Sequence, residues 1–220
     1  MKTSMKRLLF TLTLLAIVWY GTACSEPAPA DLPIEKKGSP MGFEITKVYK
    51  EHFPALRLIG KRYTNANRGP DGFARFWREW TAPGGRFEEL KKLGPSDAVE
   101  YGYIGLMTTG PGNEGTDDFT YWIGMFFPAG TAVPEGFDYL DLPENDIGVA
   151  WIYGDDRTGE IFGQASHCAS FYALRDNGMG RLNTNAGGEG AIVYFERYAA
   201  RFAARDERGK VILDYGFYLE

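Results

Sequence analysis

From residue 42 onward the spacing of apolar side chains switches between a period of two and a period near 3.6, the signatures of strand and helix. Ala55 to Tyr63 reads as a strand. Phe73, Phe76, Trp77 and Trp80 then share one helical face; Pro83-Gly84-Gly85 interrupts that helix, which resumes through Phe87 and Leu90 until Gly94-Pro95 ends it. Strands follow at Tyr101 to Met107 and Phe119 to Phe127, with a loop at Thr108 to Asp118 that carries Gly110-Pro111-Gly112-Asn113-Glu114-Gly115. The same order then recurs. Gly148 to Tyr153 is a strand and Gly154-Asp155-Asp156 a turn. Ile161, Phe162, Ala165, Cys168, Ala169 and Tyr172 mark one helical face, which Gly178 and Gly180 close. Ala191 to Tyr198 and Val211 to Leu219 are the last two strands, parted by a loop at Asp206 to Lys210, and Phe137 to Leu142 is an extra strand bridging the halves. Two strand-helix-strand-strand units predict an α+β fold. The two βαββ pseudo-repeats form an antiparallel sheet with two helices packed on one face, and ligand sites favour the seam between such halves.

The residues before this domain are of another kind. Lys2, Lys6 and Arg7 precede an uncharged run from Leu8 to Tyr20, and Gly21-Thr22-Ala23 leads into Cys24. Residues 1–23 therefore read as a signal peptide, with an apolar run too short to cross a bilayer comfortably. Cys24 stands where bacterial lipoprotein precursors are cleaved and acylated, so the expected product is an exported, membrane-anchored lipoprotein of the cell envelope, held through lipid on Cys24. Gly21 stands where that pattern more often has Leu, which keeps plain secretion or an uncleaved anchor open. Residues 24–41, rich in Pro, Ala, Glu and Lys, read as a tether, and 42–220 as one domain. With Cys24 given to lipid, Cys168 is left without a partner in the chain. The net charge is -5, and loss of Lys2, Lys6 and Arg7 makes it three units more negative. Dispersed basic residues in an acidic chain argue against nucleic acid as a partner.

Candidate chemistry centres on Ala191 to Tyr198, whose period of two puts Tyr194, Glu196 and Tyr198 on one face. A lone carboxylate on an aromatic strand requires a cation, a donor or solvent. A cation in an aromatic cage is one solution, at about 0.5 to 2 kcal/mol per ring face. The bland alternative is that Glu196 pairs with Arg197, Arg201 or Arg62, or faces water from an edge strand. Trp122 beside Gly124, Trp151, Tyr103 and Tyr172 are further candidate walls, each weighed against a plain core role. His52 and His167 are far apart and outside any metal-ligand spacing, and His167-Cys168 reads as helix surface and helix core; no metal or cofactor is expected.

Several segments resemble the GyrI-like small-molecule-binding family, which also forms the effector-binding half of AraC-type transcription activators. Phe53-Pro54-Ala55-Leu56-Arg57-Leu58-Ile59-Gly60-Lys61 is similar to its first strand. Tyr121-Trp122-Ile123-Gly124-Met125 and Val133-Pro134-Glu135-Gly136-Phe137 resemble its middle signature, and Phe195-Glu196-Arg197-Tyr198 its Glu-x-Tyr strand. The resemblance implies a pocket for lipophilic, cationic or aromatic small molecules around a glutamate, which maps to Glu196. Its alternative implication is a small-molecule hydrolase with Glu196 as general acid or base. The family's DNA-binding partner domain is absent from this sequence, which speaks against a transcriptional role.

Overall fold

The computed structural model describes residues 42–110, 119–188 and 190–220, so the signal, tether and Cys24 readings lie outside the described residues. The strands are β1 (Phe43–Phe53), β2 (Leu56–Thr64), β3 (Tyr103–Thr109), β4 (Phe119–Pro128), β5 (Asp138–Leu142), β6 (Asn145–Gly154), β7 (Ile192–Tyr198) and β8 (Val211–Tyr218). The helices are α1 (Ala74–Thr81), α2 (Arg86–Lys91), α3 (Gln164–Asp176) and the single turn α4 (Ala200–Ala203). All eight strands join one sheet in the order β1-β6-β8-β7-β3-β4-β2-β5, and each neighbouring pair is antiparallel. The expected repeat is visible in that order. One unit is β2, α1 with α2, β3 and β4; the other is β6, α3, β7 and β8; they meet where β7 pairs with β3. The added strands are exchanged, because β1 precedes the first unit but pairs with the second, and β5 does the reverse. β1 was not expected as a strand. It is an edge strand with a bulge between Ile45 and Lys47 and mostly half-exposed or exposed side chains, so charge masks its alternation.

Chain connectivity forces this sheet to curl. Only Pro54 and Ala55 link β1 to β2, and only Pro143 and Glu144 link β5 to β6. Each link spans at most roughly 11 Å, whereas the strands it joins are six positions apart, roughly 29 Å in a flat sheet. The face lying inside the curl holds Leu58, Leu106, Trp122, Phe126, Val149, Val193 and Phe195. Phe53, at the end of β1, closes that core by meeting the rings of Phe126, Phe195 and Tyr218.

The other face carries the helices. Phe73, Trp80, Phe87 and Leu90 pack on Ile59, Met107, Tyr121, Ile123 and Phe127. α3 covers the second unit, with Phe171 against Phe217. The buried face of α3 is turned relative to the expected stripe: Ser166, Ser170, Phe171 and Leu174 are buried, and Ala165 is exposed. Ser166 Oγ donates to the Gly163 carbonyl at 2.7 Å and Ser170 Oγ to the Ser166 carbonyl at 2.8 Å, so two polar residues pack as small core residues. That rotation brings His167 over the sheet.

Candidate functional site

Glu196 lies on β7, one of the two central strands, opposite Tyr215 of β8 on one side and Gly105 of β3 on the other. Its side chain points to the helical face, and the residue is 3% exposed. Three phenols surround it, and two of them donate to it. Tyr121 Oη at 3.0 Å and Tyr198 Oη at 2.8 Å reach Oε2, and Tyr215 Oη lies 3.0 Å from Oε1. Trp77 Nε1 donates to Tyr121 Oη at 3.0 Å, and the Trp77 ring sits on Tyr198 with centroids 4.5 Å apart. Burial first, and then the negative charge of Glu196, push all three phenols well above their ordinary pKa, so they stay protonated donors. Hydrogen bonds to a charged group contribute about 1.5 to 3 kcal/mol each, which offsets much of the cost of burying the carboxylate.

Gly105 makes this arrangement possible. Tyr121 is on β4 and Glu196 on β7, with β3 between them, so the phenol has to cross β3 to reach its acceptor. A Cβ on residue 105 would lie 2.4 Å from Tyr121 Oη and 2.9 Å from Glu196 Oε2.

No lysine or arginine is placed within 4.0 Å of Glu196 among the described residues; the basic side chain within that distance is His167, with Nε2 at 3.5 Å from Oε1. The basic residues adjacent in sequence are committed elsewhere. Arg197 points to the opposite face, where it is buried with Asp214 at 2.9 Å and Glu51 at 3.0 Å. Arg201 pairs with Glu100 and Arg62 is exposed. Burial opposes the charge on Arg197, but hydrogen bonds to Glu51 and the charges of Asp214 and Glu51 outweigh it and raise its pKa. Asp214 has only the buried end of this network, so desolvation outweighs Arg197 and Arg201 and lifts its pKa to about 6.

The proposed walls divide between the two faces. Tyr198 touches Glu196, and Tyr194 lies on the same face beside His167, with ring centroids 5.5 Å apart. Tyr103 is also on that face but stacks on Phe87 at 3.9 Å, away from the carboxylate. Trp122 and Trp151 are corrections. Cross-strand pairing puts Trp122 in line with Leu106 and Phe195, and Trp151 with Asp214 and Arg197, all pointing away from Glu196. Trp151 instead lies between the cations of Lys47 and Arg201, each 4.4 Å from its ring centroid. Tyr172 also falls outside the group around Glu196, meeting Phe171 and Arg175. The residues that do surround Glu196 and were not anticipated are Tyr121, Tyr215, Trp77, Gly105 and His167. Cys168 is disulfide-bonded, which corrects the expectation that it has no partner; Cys24 lies outside the described residues. Among the described residues no group of three or more His, Cys, Asp or Glu is placed to hold a metal ion, and no helix is long and apolar enough to cross a membrane.

Solved structures share this fold. One, described as a bacterial transcription regulation protein from Staphylococcus aureus, is 16% identical with a TM-score of 0.52, over 79% of this chain and 98% of its own. Another, SAV2435 bound to tetraphenylphosphonium, is 15% identical with a TM-score of 0.54, over 80% of this chain and 94% of its own. No family model and no curated protein matches the sequence.

Proposed function

We propose that this chain binds lipophilic organic cations, with Glu196 as counter-ion in an aromatic site between α1, α3 and β7. The observation that carries the reading is a buried carboxylate lined by three phenols with no lysine or arginine beside it among the described residues. Phenol donors hold the acid in place and lessen its desolvation cost, but they bring no positive charge to it. A large ion with delocalised charge suits such a site, since it gives up less hydration than an ammonium group and gains from ring faces. Tyr198, Trp77, Phe162 and Phe202 supply those rings, with Phe162 and Phe202 at 6.3 and 4.7 Å from Tyr198. The fold shared with SAV2435, a protein whose structure contains tetraphenylphosphonium, supports this reading.

Entry requires a cover to move, because Glu196 is enclosed. Trp77 is that cover. It belongs to α1, an eight-residue helix in which Trp80 is the buried residue, and short helices with few buried side chains open at low cost. Titration calorimetry with tetraphenylphosphonium on the wild type and on Glu196→Gln tests the reading. A desolvated charge contact of about 1.5 to 3 kcal/mol corresponds to a loss of roughly 10- to 150-fold; equal affinities would refute the counter-ion role. We further propose export of the chain, supported by the charged, apolar and small-residue order of residues 1–23.

A further inference from the structure

The two oxygens of Glu196 are not equally served. Oε2 receives Tyr121 and Tyr198, while Oε1 faces Tyr215 at 3.0 Å and His167 Nε2 at 3.5 Å. Tyr215 has one proton and a nearer acceptor, the Ile161 carbonyl at 2.7 Å. Ser166 Oγ, 3.4 Å from Tyr215, donates to Gly163 instead. His167 is therefore the donor on which Oε1 depends, and an imidazole that donates beside a buried carboxylate is the one group here that can bring a removable positive charge.

We propose that His167 is the resident cation of this site and that an incoming lipophilic cation takes its place: the protonated imidazole loses its Nε2 proton to solvent as the ligand's charge settles on Glu196. This rests on the cation-binding reading above. Charge balances in the exchange, with one positive charge entering and one proton leaving. The result is a pH switch, in which the site holds its cargo at higher pH and releases it as pH falls. The ionisable groups facing His167 are few. β7 presents Glu196 and Tyr194, and β8 presents Tyr215, its ring 4.7 Å from the imidazole. Burial and then the charge of Glu196 raise both phenols far enough to keep them neutral, against a smaller opposing effect of Arg68 on Tyr194. Glu196 is thus the facing anion. On α3 itself Arg175 pairs with Asp176.

Tetraphenylphosphonium is the appropriate probe because its charge is permanent, so any pH dependence belongs to the protein. Calorimetry in buffers of different ionisation enthalpy should show about one proton released per cation at pH 6, and affinity should fall by up to tenfold per pH unit below that. His167→Gln should bind without proton release and with nearly constant affinity from pH 5.5 to 8. Binding without proton release in the wild type overturns the exchange and leaves the cation-binding reading standing; no binding at any pH overturns both. A ligand-free measurement stands apart from affinity. The chain has two histidines, so the ring nitrogens of His167 can be assigned by comparison with His52→Gln. Their 15N shifts at pH 6 should report an imidazolium in the wild type and a smaller imidazolium fraction in Glu196→Gln. A neutral ring in the wild type overturns the proposal.

Discussion

Substituting Gly105 by alanine tests the architecture of the site with the smallest available change. The added methyl would sit 2.4 Å from Tyr121 Oη, 2.9 Å from Glu196 Oε2 and 3.2 Å from Trp77 Cζ2. The Tyr121 hydroxyl and the Glu196 carboxylate are not free to yield. Tyr121 is stacked flat on Phe73, with centroids 4.4 Å apart and 5° between planes, and its hydroxyl bridges Trp77 and Glu196. Overpacking costs about 1 to 3 kcal/mol, and separating Tyr121 from Glu196 about 1.5 to 3 kcal/mol. A total near 4 kcal/mol should lower the Tm by on the order of 10 °C in a domain of this size. Tyr121→Phe removes the hydroxyl that the methyl strikes, so the two substitutions should not add. A double-mutant cycle by urea denaturation should show the pair costing at least about 1 kcal/mol less than the sum of the singles. Additivity within about 0.5 kcal/mol, or an alanine variant as stable as the wild type, would refute the account of how Tyr121 reaches Glu196.

Other outcomes follow from the two faces and from the N-terminal segment. Trp151→Phe and Trp122→Phe should leave tetraphenylphosphonium affinity within about twofold of wild type, whereas Trp77→Ala should change it more; a large loss on the inner-face variants would place the ligand on the wrong side. Asp214, with its pKa lifted to about 6 mainly by burial, binds its proton more tightly folded than unfolded, where about 3.9 applies. Its contribution is therefore greatest below pH 4 and declines as pH rises to 6, by roughly 3 kcal/mol. Denaturation of wild type and Asp214→Asn at pH 4, 5, 6 and 7 should show that decline in the wild type alone, and parallel curves would contradict it. Export predicts a mature chain that begins near Cys24. Its intact mass should reveal Cys24 sulfur carrying lipid or engaged in a disulfide, two fates that exclude each other, and a product that keeps Met1 to Ala23 refutes cleavage near Cys24.

Much of the fold was legible because its strands and helices announce themselves locally. The alternation of Tyr194, Glu196 and Tyr198 held, as did the break at Pro83-Gly84-Gly85, where α1 ends and α2 begins. β1 was obscured because an edge strand with lysines and glutamates resembles a solvated segment. The α3 face was misjudged because Ser166 and Ser170 meet their own hydrogen-bonding needs inside the helix and then pack as small apolar residues. His167 was placed on the surface as a direct consequence. The partners of Glu196 depend on register. Tyr215 sits opposite it, Gly105 flanks it and Tyr121 crosses from two strands away, and none of these relations is a local pattern. The same gap misplaced Trp122 and Trp151, since strand parity tells which residues share a face within one strand but not which faces align between strands.

The central claim is positional, and an anomalous scatterer can locate the ligand directly. Crystals grown with tetraphenylarsonium, the arsenic counterpart of the phosphonium, should show one strong arsenic peak on the helical face, within about 6 Å of the Tyr198 and Trp77 rings and nearest the Glu196 carboxylate. A peak inside the curl beside Trp122 or Trp151, or a fully occupied peak elsewhere with the Glu196 side chain still enclosed by its three phenols, would contradict the account.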